Sequence, residues 1–483
     1  MRKSPPPFVP QITRSAILNT LPRDTAVYGD APELKYFYVP RRHAQALDFD
    51  SVLVRGIRGS GKSVWWAALQ SEEHRQIILR ALPRTDLDER TRVSPGFGGA
   101  SRPGDYPDKR IIKSILSTHP DPDSIWRTII AWHSWGKTGP LGALETWRER
   151  VAWIENHPEE SARRFSDYDK KLHREGAKHL FLFDALDRAA EGWDHLLLLL
   201  RGLLETLLEF RSFVALRAKA FVRHDMLVSA ITSFPDASKV TANAAELRWQ
   251  TLDLYGLLWQ HLGNAPGEAG KDFREYSAGL SDEAWKSREG VWAPPSALRN
   301  DEQIQRDVFH SITGPWMGRD HRRGLPYRWL PNHLADALGQ VSPRSFLAAV
   351  RAAAEDERYG NHPYALHYEA IKRGVQAAST IRVQEVEEDF PWIGEAMEPL
   401  RGLVIPCPFE DIEERWMEKD ALDAVRRSAG LPPRQIRQGL QGLRKDLMEL
   451  GMLQEMPDGR INMPDVYRVG FGLGRMGGVK PVR

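Results

Sequence analysis

The chain has 483 residues, of which 41% are hydrophobic and 27% are charged, and its formal net charge is +2. These proportions are those of a globular protein with length for two to four domains, and a charge so near balance creates no global field that would force binding to nucleic acid or membranes. The single cysteine, Cys407, excludes an intrachain disulfide and a cysteine-based zinc cluster, and it suits a reducing compartment.

Residues 1–34 predict an N-terminal arm with a proline-rich start. Met1 is followed by two basic residues and then by Ser-Pro-Pro-Pro, where an export signal would have an apolar core. The leucine run at residues 196–200 continues into Arg201, Glu205 and Glu209, which predicts a helix packed in a core rather than a membrane span. We therefore expect a cytoplasmic protein without a membrane partner.

Residues 51–63 join an apolar strand to the pattern G-x-x-x-x-G-K-S, which is the P-loop or Walker A arrangement. A phosphate cradle needs several backbone N–H groups aimed inward, and the bend that aims them requires glycine. Lys62 would reach the β- and γ-phosphates of ATP, and Ser63 would ligate Mg²⁺. The predicted nucleotide-binding residues are Gly56, Gly59, Ser60, Gly61, Lys62 and Ser63. The alternative is a glycine-rich structural turn.

Residues 92–107 are rich in glycine and proline, and this composition predicts a surface loop. Such a loop would either cover a nucleotide or contact a partner, but an ordinary surface loop is the simpler interpretation.

Residues 179–183 form an uninterrupted apolar run that ends in Asp184, as a central parallel strand does when it is buried on both faces. Asp184 is the predicted Walker B residue, holding Mg²⁺ directly or through water. Asp187 lies three residues further on and would orient or deprotonate the attacking water. The alternatives are a strand-ending aspartate for Asp184 and a helix-capping aspartate for Asp187.

Residues 184–188, Asp-Ala-Leu-Asp-Arg, resemble the D-x-L-D-R signature of KAP and STAND-type P-loop ATPases, which are relatives of the AAA+ proteins. Residues 218–227 resemble the strand and polar tip that this group places beside the γ-phosphate, and residues 246–258 resemble the entry to its helical lid. The resemblance implies an ATPase that uses Mg²⁺ in bacterial signalling or phage defence. Most AAA+ enzymes have glutamate directly after the Walker B aspartate, whereas this chain has Ala185, so the catalytic base depends on Asp187.

Two arginines match sensor positions of this group. Arg223 lies at the polar tip, and Arg344 lies in residues 336–347, which resemble the lid helix that carries a sensor arginine. A guanidinium matches the charge of a transferring phosphoryl group and would report whether that group is present. Arginine is plentiful in this chain, so a surface salt bridge is the alternative for each.

The predicted fold class is α/β: a parallel-sheet P-loop core with a helical lid and a C-terminal winged-helix domain. The predicted segments are an N-terminal arm (1–34), the P-loop core (35–235), the lid (236–355), a connecting helical segment (356–402) and the winged helix (403–483). Within the lid, the polar stretch around residues 264–302 predicts a loop.

The C-terminal segment predicts short helices at 411–418 and 421–427, a longer helix from Arg434 to Leu450 that ends at Gly451, and a β-hairpin over residues 452–463. Asp458 and Gly459 favour a type I′ turn in this hairpin. Helices followed by a hairpin resemble a winged-helix domain.

Residues 419–483 contain twelve Lys and Arg against seven Asp and Glu, an excess of five. Cations along the longer helix and the hairpin would meet DNA phosphates, and Gln435, Gln438 and Gln441 are candidate base readers. These cations are Arg434, Arg437, Arg444, Lys445 and Arg460. A protein-docking or lid-closing role is the alternative.

The sequence therefore predicts an ATP-binding, ATP-hydrolysing protein whose nucleotide state passes to the winged helix, with DNA, a partner protein or a second copy as the contact. Two alternatives remain open: a non-hydrolysing nucleotide switch, suggested by Ala185, and an origin-recognition-like DNA-binding ATPase, suggested by the basic C-terminal segment.

Overall fold

The computed structural model describes residues 9–23, 30–118, 121–231, 239–240 and 242–481. Among these residues the chain divides into two compact units. The sheet unit comprises residues 30–32 and 39–248, and the helical unit comprises residues 9–23, 33–38 and 249–481. Parts of the predicted N-terminal arm (1–8 and 24–29) and the predicted boundary at residue 235 lie outside the described residues.

The strands in chain order are β1 (Leu53–Gly56), β2 (Thr91–Phe97), β3 (Lys178–Phe183), β4 (Leu216–Arg223), β5 (Ala245–Glu246), β6 (Lys286–Arg288), β7 (Val291–Ala293), β8 (Gln454–Glu455) and β9 (Ile461–Asn462).

The α-helices in the first part of the chain are α1 (Pro10–Thr20), α2 (Ala44–Leu47), α3 (Lys62–Gln70), α4 (Glu72–Ala81), α5 (Lys109–Leu116), α6 (Pro122–Ser134), α7 (Trp147–Asn156), α8 (Pro158–Glu175), α9 (Trp193–Phe210) and α10 (His224–Ile231). Those that follow are α11 (Thr251–Gly263), α12 (Glu268–Ser281), α13 (Ser296–Asn300), α14 (Glu302–Thr313), α15 (Pro326–Leu334), α16 (Pro343–Glu355), α17 (Tyr368–Asp389), α18 (Trp392–Met397), α19 (Phe409–Glu418), α20 (Ala421–Arg427), α21 (Gly439–Glu449) and α22 (Asp465–Arg468).

The sheet unit is built on a five-stranded sheet with the order β2-β3-β4-β1-β5, and every pair in it is parallel. The parallel-sheet P-loop core predicted from the sequence is confirmed. Strand β4 lies between β1 and β3, so these two strands are not neighbours. Because all five strands run the same way, their carboxyl ends lie at one edge of the sheet, and the segments that follow β1, β3 and β4 meet there.

Strand β3 has the burial of a central strand. Its residues from His179 to Phe183 are all buried, although successive side chains point to opposite faces of the sheet. Both faces are therefore covered, as the apolar run predicted. Helix α9 contributes Leu199, Leu203 and Leu207 to this core, while Arg201 pairs with Glu205 at the surface. The described residues contain no helix that is both long and apolar enough to cross a membrane.

The prediction of a loop over residues 92–107 is wrong for its first part, because residues 91–97 form β2 at one edge of the sheet. An edge strand tolerates Pro95, whose missing N–H removes no hydrogen bond from the centre of the sheet. Only glycine fits sterically at position 96 in this packing, because a Cβ there would lie 2.4 Å from the Phe183 ring. The same glycine and proline content that suggests a loop is thus compatible with a strand in close contact with its neighbour.

The helical unit has a core of buried aromatic residues on α11, α14 and α15. The Tyr255 ring stacks on Tyr327 with centroids 4.3 Å apart, and the Tyr255 hydroxyl donates to the Tyr327 carbonyl at 2.9 Å. The Tyr327 hydroxyl in turn donates to Gln305 Oε1 at 2.7 Å. Ala16 and Ile17 of α1 are fully buried in the same core. Both buried hydroxyls therefore have a hydrogen-bond acceptor within the protein, as buried tyrosine hydroxyls usually do.

The prediction of a loop around residues 264–302 is also wrong. This stretch forms α12, the hairpin β6–β7 and α13. Its apolar residues are few, but Phe273 and Trp285 are buried and their rings pack edge to face. A few large aromatic anchors therefore hold a stretch that looks polar by composition.

The C-terminal part has the helices and hairpin of a winged helix. Helices α19 and α20 lie where the sequence places them, and Gly451, with φ of 70°, ends α21 as predicted. Cys407 exchanges two backbone hydrogen bonds with Ile461, of 3.1 and 2.7 Å, which attaches the segment before α19 to the hairpin.

Two details of this segment differ from prediction. The longer helix begins at Gly439 rather than Arg434. The residues before it, Ile436–Gln438, form a 3₁₀ turn, and the left-handed φ of 67° at Gly439 changes the direction of the chain between this turn and the helix. The hairpin turn is not type I′, since Gly459 N–H bonds to the Met456 carbonyl with Pro457 as the first central residue. Proline has a fixed negative φ, so only Gly459 takes the left-handed conformation.

Lys219 of β4 is fully buried, and its Nζ donates to the carbonyls of Ala46 (2.7 Å) and Asp48 (2.6 Å). Burial lowers the pKa of Lys219 to about 7 from its ordinary value of 10.5. Between these values the unfolded chain binds more protons, so this group makes the folded state more stable as pH rises.

We predict that the free energy of unfolding of the wild type increases from pH 7 to pH 10 by a few kcal/mol (order of magnitude) relative to Lys219→Met. Urea unfolding of both proteins across this range tests it, and parallel pH profiles would contradict it.

Candidate active site

The loop between β1 and α3 has the backbone of a phosphate cradle. Gly61 and Gly59 have φ of 98° and 75°, in the left-handed region that favours glycine. A Cβ on Gly56 would lie 2.3 Å from Ser60 Oγ and 3.2 Å from Ser60 Cβ, so a larger residue at the end of β1 would displace the Ser60 side chain. Helix α3 begins at Lys62, and the amides of its first turn point along the helix axis towards the loop. The loop and the helix terminus together favour an anion.

Lys62 lies over this loop. Its Nζ donates to the carbonyls of Gly56 (3.0 Å) and Ile57 (2.8 Å). Burial and, to a smaller extent, the positive charge of Arg223 lower the pKa of Lys62 to about 8, although the carboxylates of Asp184, Asp187 and Asp225 act in the opposite direction. The ammonium therefore belongs to a cluster of five ionisable side chains at the carboxyl edge of the sheet.

Asp184 and Ser63 are in contact although β1 and β3 are not neighbouring strands. Asp184 directly follows β3, is 4% exposed, and lies close enough to the Ser63 side chain for that side chain to lower its pKa. Its backbone N–H bonds to the Phe97 carbonyl at 3.0 Å, which holds the strand end in register. Burial raises the pKa of Asp184, and the Ser63 side chain and the Lys62 charge oppose that shift. The two residues predicted to ligate the metal are thus side by side.

Ala185 has a left-handed backbone, with φ of 54°, immediately after Asp184. A residue with a Cβ pays for this conformation, by about 1–2 kcal/mol, and such strain is common where a site needs a sharp change of direction. The turn leads into a single 3₁₀ turn, Leu186–Arg188, that contains Asp187. Asp187 is close enough to Asp184 for its charge to raise the pKa of that residue.

Arg223, the last residue of β4, lies between two acids. Its Nε donates to Asp225 Oδ1 at 3.1 Å and its Nη2 donates to Asp225 Oδ2 at 3.0 Å, while its Nη1 is 3.6 Å from Asp187 Oδ2. Asp225 lies in the polar tip predicted within residues 218–227, but its pairing with Arg223 is not predicted. The signal was present: an arginine and an acid two residues apart directly after an apolar strand.

The charges of this cluster fit a divalent cation shared with phosphate. Three carboxylates against two cations leave one excess negative charge, and a Ser hydroxyl beside an Asp carboxylate is an oxygen donor set that suits Mg²⁺. Within the described part of the chain no group of three or more His, Cys, Asp or Glu side chains is arranged to hold a metal ion. Ser63 and Asp184 would supply two oxygen ligands, which leaves the remaining positions of Mg²⁺ to water and a nucleotide.

Arg344 belongs to the helical unit and lies in the first turn of α16. Its Nη1 donates to Glu385 Oε1 of α17 at 2.5 Å. The remaining predicted site residues all belong to the sheet unit, so the sensor role of Arg344 stays a prediction.

Most of the cations predicted to meet DNA have partners inside the C-terminal segment. Arg434 pairs with Glu449, Arg444 with Glu455, and Arg460 with Asp458, and Lys445 donates to Gln438. Gln435, a candidate base reader, donates to Glu449 at 3.0 Å. Arg437 is exposed and has no ion-pair partner among the described residues.

No protein-family model matches this sequence, and no curated protein sequence matches it significantly. Among solved structures, the ORC2 protein of Aeropyrum pernix in ADPNP and ADP complexes is similar at 12% identity and a TM-score of 0.39, covering 92% of this chain and 93% of that one. Cdc6p of Pyrobaculum aerophilum is similar at 12% identity and a TM-score of 0.27, covering 86% and 83%.

The buried carboxylate of Asp184 has a cost in the absence of ligand, because its raised pKa means that the folded chain disfavours its charged form. We predict that Asp184→Asn raises the melting temperature of the nucleotide-free and metal-free protein at pH 7.5. The amide retains the acceptor for Ser63 and loses the buried charge. Differential scanning calorimetry of both proteins in EDTA tests this prediction, and a lower melting temperature in the variant would contradict it.

Proposed function

We propose that the chain is an AAA+-related P-loop ATPase that binds Mg-ATP, hydrolyses it, and passes its nucleotide state to a C-terminal winged helix. The observation that carries this proposal is the meeting of Lys62, Ser63 and Asp184 beside a glycine cradle at one edge of a parallel sheet. A structural glycine turn would not require a buried acid in contact with the serine that follows its lysine.

Four residues of the cluster and the neighbouring Ser63 have defined tasks in this proposal. The loop amides and the N-terminus of α3 bind the β- and γ-phosphates, and Lys62 exchanges its two carbonyl acceptors for phosphate oxygens. Ser63 and Asp184 would hold Mg²⁺, which supplies charge neutralisation at the phosphates. Asp187 orients the attacking water and accepts its proton, and Arg223 stabilises charge on the transferring phosphoryl group.

The route to the winged helix is proposed to start at Arg344. Glu385 accepts from Arg344 through Oε1, and its Oε2 lies 3.5 Å from Nη1 of Arg382 on the same helix. Arg382 Nε donates to the Tyr467 hydroxyl of α22 at 3.2 Å. This chain of contacts lies wholly in the helical unit and joins the first turn of α16 to the C-terminal segment. If Arg344 changes partner with nucleotide state, Glu385 and Arg382 must rearrange with it.

Lys62→Ala tests the nucleotide site. The variant loses a charge-assisted contact to the phosphates, and we predict that the dissociation constant for Mg-ATP rises by at least about a hundredfold. Isothermal titration calorimetry of the wild type and the variant measures it. Lys113→Ala is the matched control, because Lys113 is 76% exposed in the same unit and lies outside the proposed site. Near-normal ATP affinity in Lys62→Ala would refute the site assignment.

A non-hydrolysing nucleotide switch is the alternative that Ala185 favours, since the base then depends on Asp187 and that carboxylate is paired with Arg223. Single-turnover assays with radiolabelled ATP, in the presence and absence of duplex DNA, separate the two. Release of phosphate at a rate that Asp187→Asn abolishes supports hydrolysis, and tight ATP binding without turnover supports the switch.

An origin-recognition-like DNA-binding ATPase is the second alternative. The cations of the hairpin and α21 already have partners within the protein, so they are less available to DNA phosphates. Arg427 at the end of α20 and Arg437 before α21 are exposed and have no ion-pair partner among the described residues. These two residues are the candidates for phosphate contact.

We predict for this alternative that Arg427→Ala together with Arg437→Ala lowers the slope of log affinity against log salt concentration for duplex DNA by about two. Fluorescence anisotropy at several salt concentrations measures the slope. Arg288→Ala, on the exposed hairpin β6–β7, is the control. An unchanged slope in the double variant would assign DNA contact elsewhere or remove it.

The biological setting and the segment boundaries remain proposals. A STAND- or KAP-type role in signalling or phage defence depends on the family resemblance alone. The cytoplasmic location, self-association or a protein partner, and the five-segment division likewise remain proposals.

A further inference from the structure

Arg223 and Asp225 form a two-point contact at the carboxyl end of β4. Arg223 ends the strand, and Asp225 lies in the first turn of α10. The two hydrogen bonds, of 3.1 and 3.0 Å, join Nε and Nη2 to the two carboxylate oxygens, which is the fork geometry that fixes a guanidinium plane. The side chains are 12% and 14% exposed, so water competes weakly for this contact.

Arg223 has a different relation to Asp187. The Nη1–Oδ2 distance of 3.6 Å is an ion pair without a well-formed hydrogen bond, and Asp187 is more exposed than Asp225. The guanidinium therefore makes two hydrogen bonds to Asp225 and a longer ion pair to Asp187. Of the two acids, Asp187 is the one that a competing anion displaces more easily.

We propose that Asp225 is a positioning residue, which holds the Arg223 guanidinium so that its Nη1 side faces the γ-phosphate and the site distinguishes ATP from ADP. This inference rests on the proposed function. A terminal phosphate carries more charge than a carboxylate and suits the guanidinium plane, so it attracts Nη1 away from Asp187. The two hydrogen bonds to Asp225 keep the guanidinium plane in its orientation while Nη1 changes its partner from Asp187 to the phosphate. Asp187 is then relieved of its ion pair and is left to act on water.

The test is the ratio of the dissociation constants for ADP and ATP, measured by isothermal titration calorimetry with Mg²⁺ on the full chain. A general loss of stability weakens both nucleotides alike and leaves this ratio unchanged. In Asp225→Asn, one acceptor becomes a donor that repels Nη2, and we expect the ratio to fall roughly tenfold with ADP affinity maintained. Arg223→Ala should lower it at least as far.

A double-mutant cycle shows whether Asp225 acts through Arg223. The expected result is that Asp225→Asn has no further effect on the ratio in the Arg223→Ala background. Asp50→Asn is the matched control, because Asp50 pairs with Arg217 at the opposite end of the same strand (Nε–Oδ1 2.8 Å), and it should leave the ratio unchanged.

Arg223→Lys keeps the charge but cannot form the fork, and it should lower the ratio as Asp225→Asn does. If Asp225→Asn does not fold, Arg223→Lys is measured in its place. A wild-type ratio in either variant, or independent effects of the two substitutions, would overturn this inference while the proposed function stands. A wild-type protein that binds neither nucleotide would overturn both.

Discussion

The parallel direction of the sheet is the constraint on which the candidate site depends. The strands β1, β3 and β4 end at the same edge, so Ser63, Asp184 and Arg223 meet there although Ser63 is more than a hundred residues from the other two in the sequence. Because β4 separates β1 from β3, the side chains and not the backbones make the contact. The closeness of the Ser63 side chain to the Asp184 carboxylate is the clearest evidence of that meeting. An antiparallel strand at either position would place its polar terminus at the opposite edge.

This edge holds an arrangement that folding alone would not favour. Lys62 is partly buried and Asp184 is buried, and desolvation moves the pKa of each towards its neutral form. Ala185 takes a left-handed backbone beside them. Desolvated charges and a strained backbone cost stability, and they are typical of sites whose partner is a ligand. By contrast, the buried hydroxyls of Tyr255 and Tyr327 in the helical unit are satisfied within the protein, as a structural core requires.

The helical unit uses its charges differently. Around the longer C-terminal helix, opposite charges pair within the segment, so a count of Lys and Arg overstates what is available to a nucleic acid. Arg344, Glu385 and Arg382 form one connected group that reaches Tyr467. Charge in this unit therefore joins helices to one another, which is the property that a nucleotide-dependent rearrangement of the lid would need.

The sequence by itself determined the P-loop, the central strand before Asp184, the α/β class and the two short helices before the C-terminal turn, because each depends on local spacing, glycine conformation or an uninterrupted apolar run. Only the tertiary structure decided the rest. Residues 91–97 are a strand because Gly96 packs against Phe183, and residues 264–302 are ordered because a few aromatic side chains are buried. Arg223 is shared between Asp187 and Asp225 because β3 and β4 end side by side. Composition does not encode which distant side chains become neighbours, and those neighbours determine what each charge is used for.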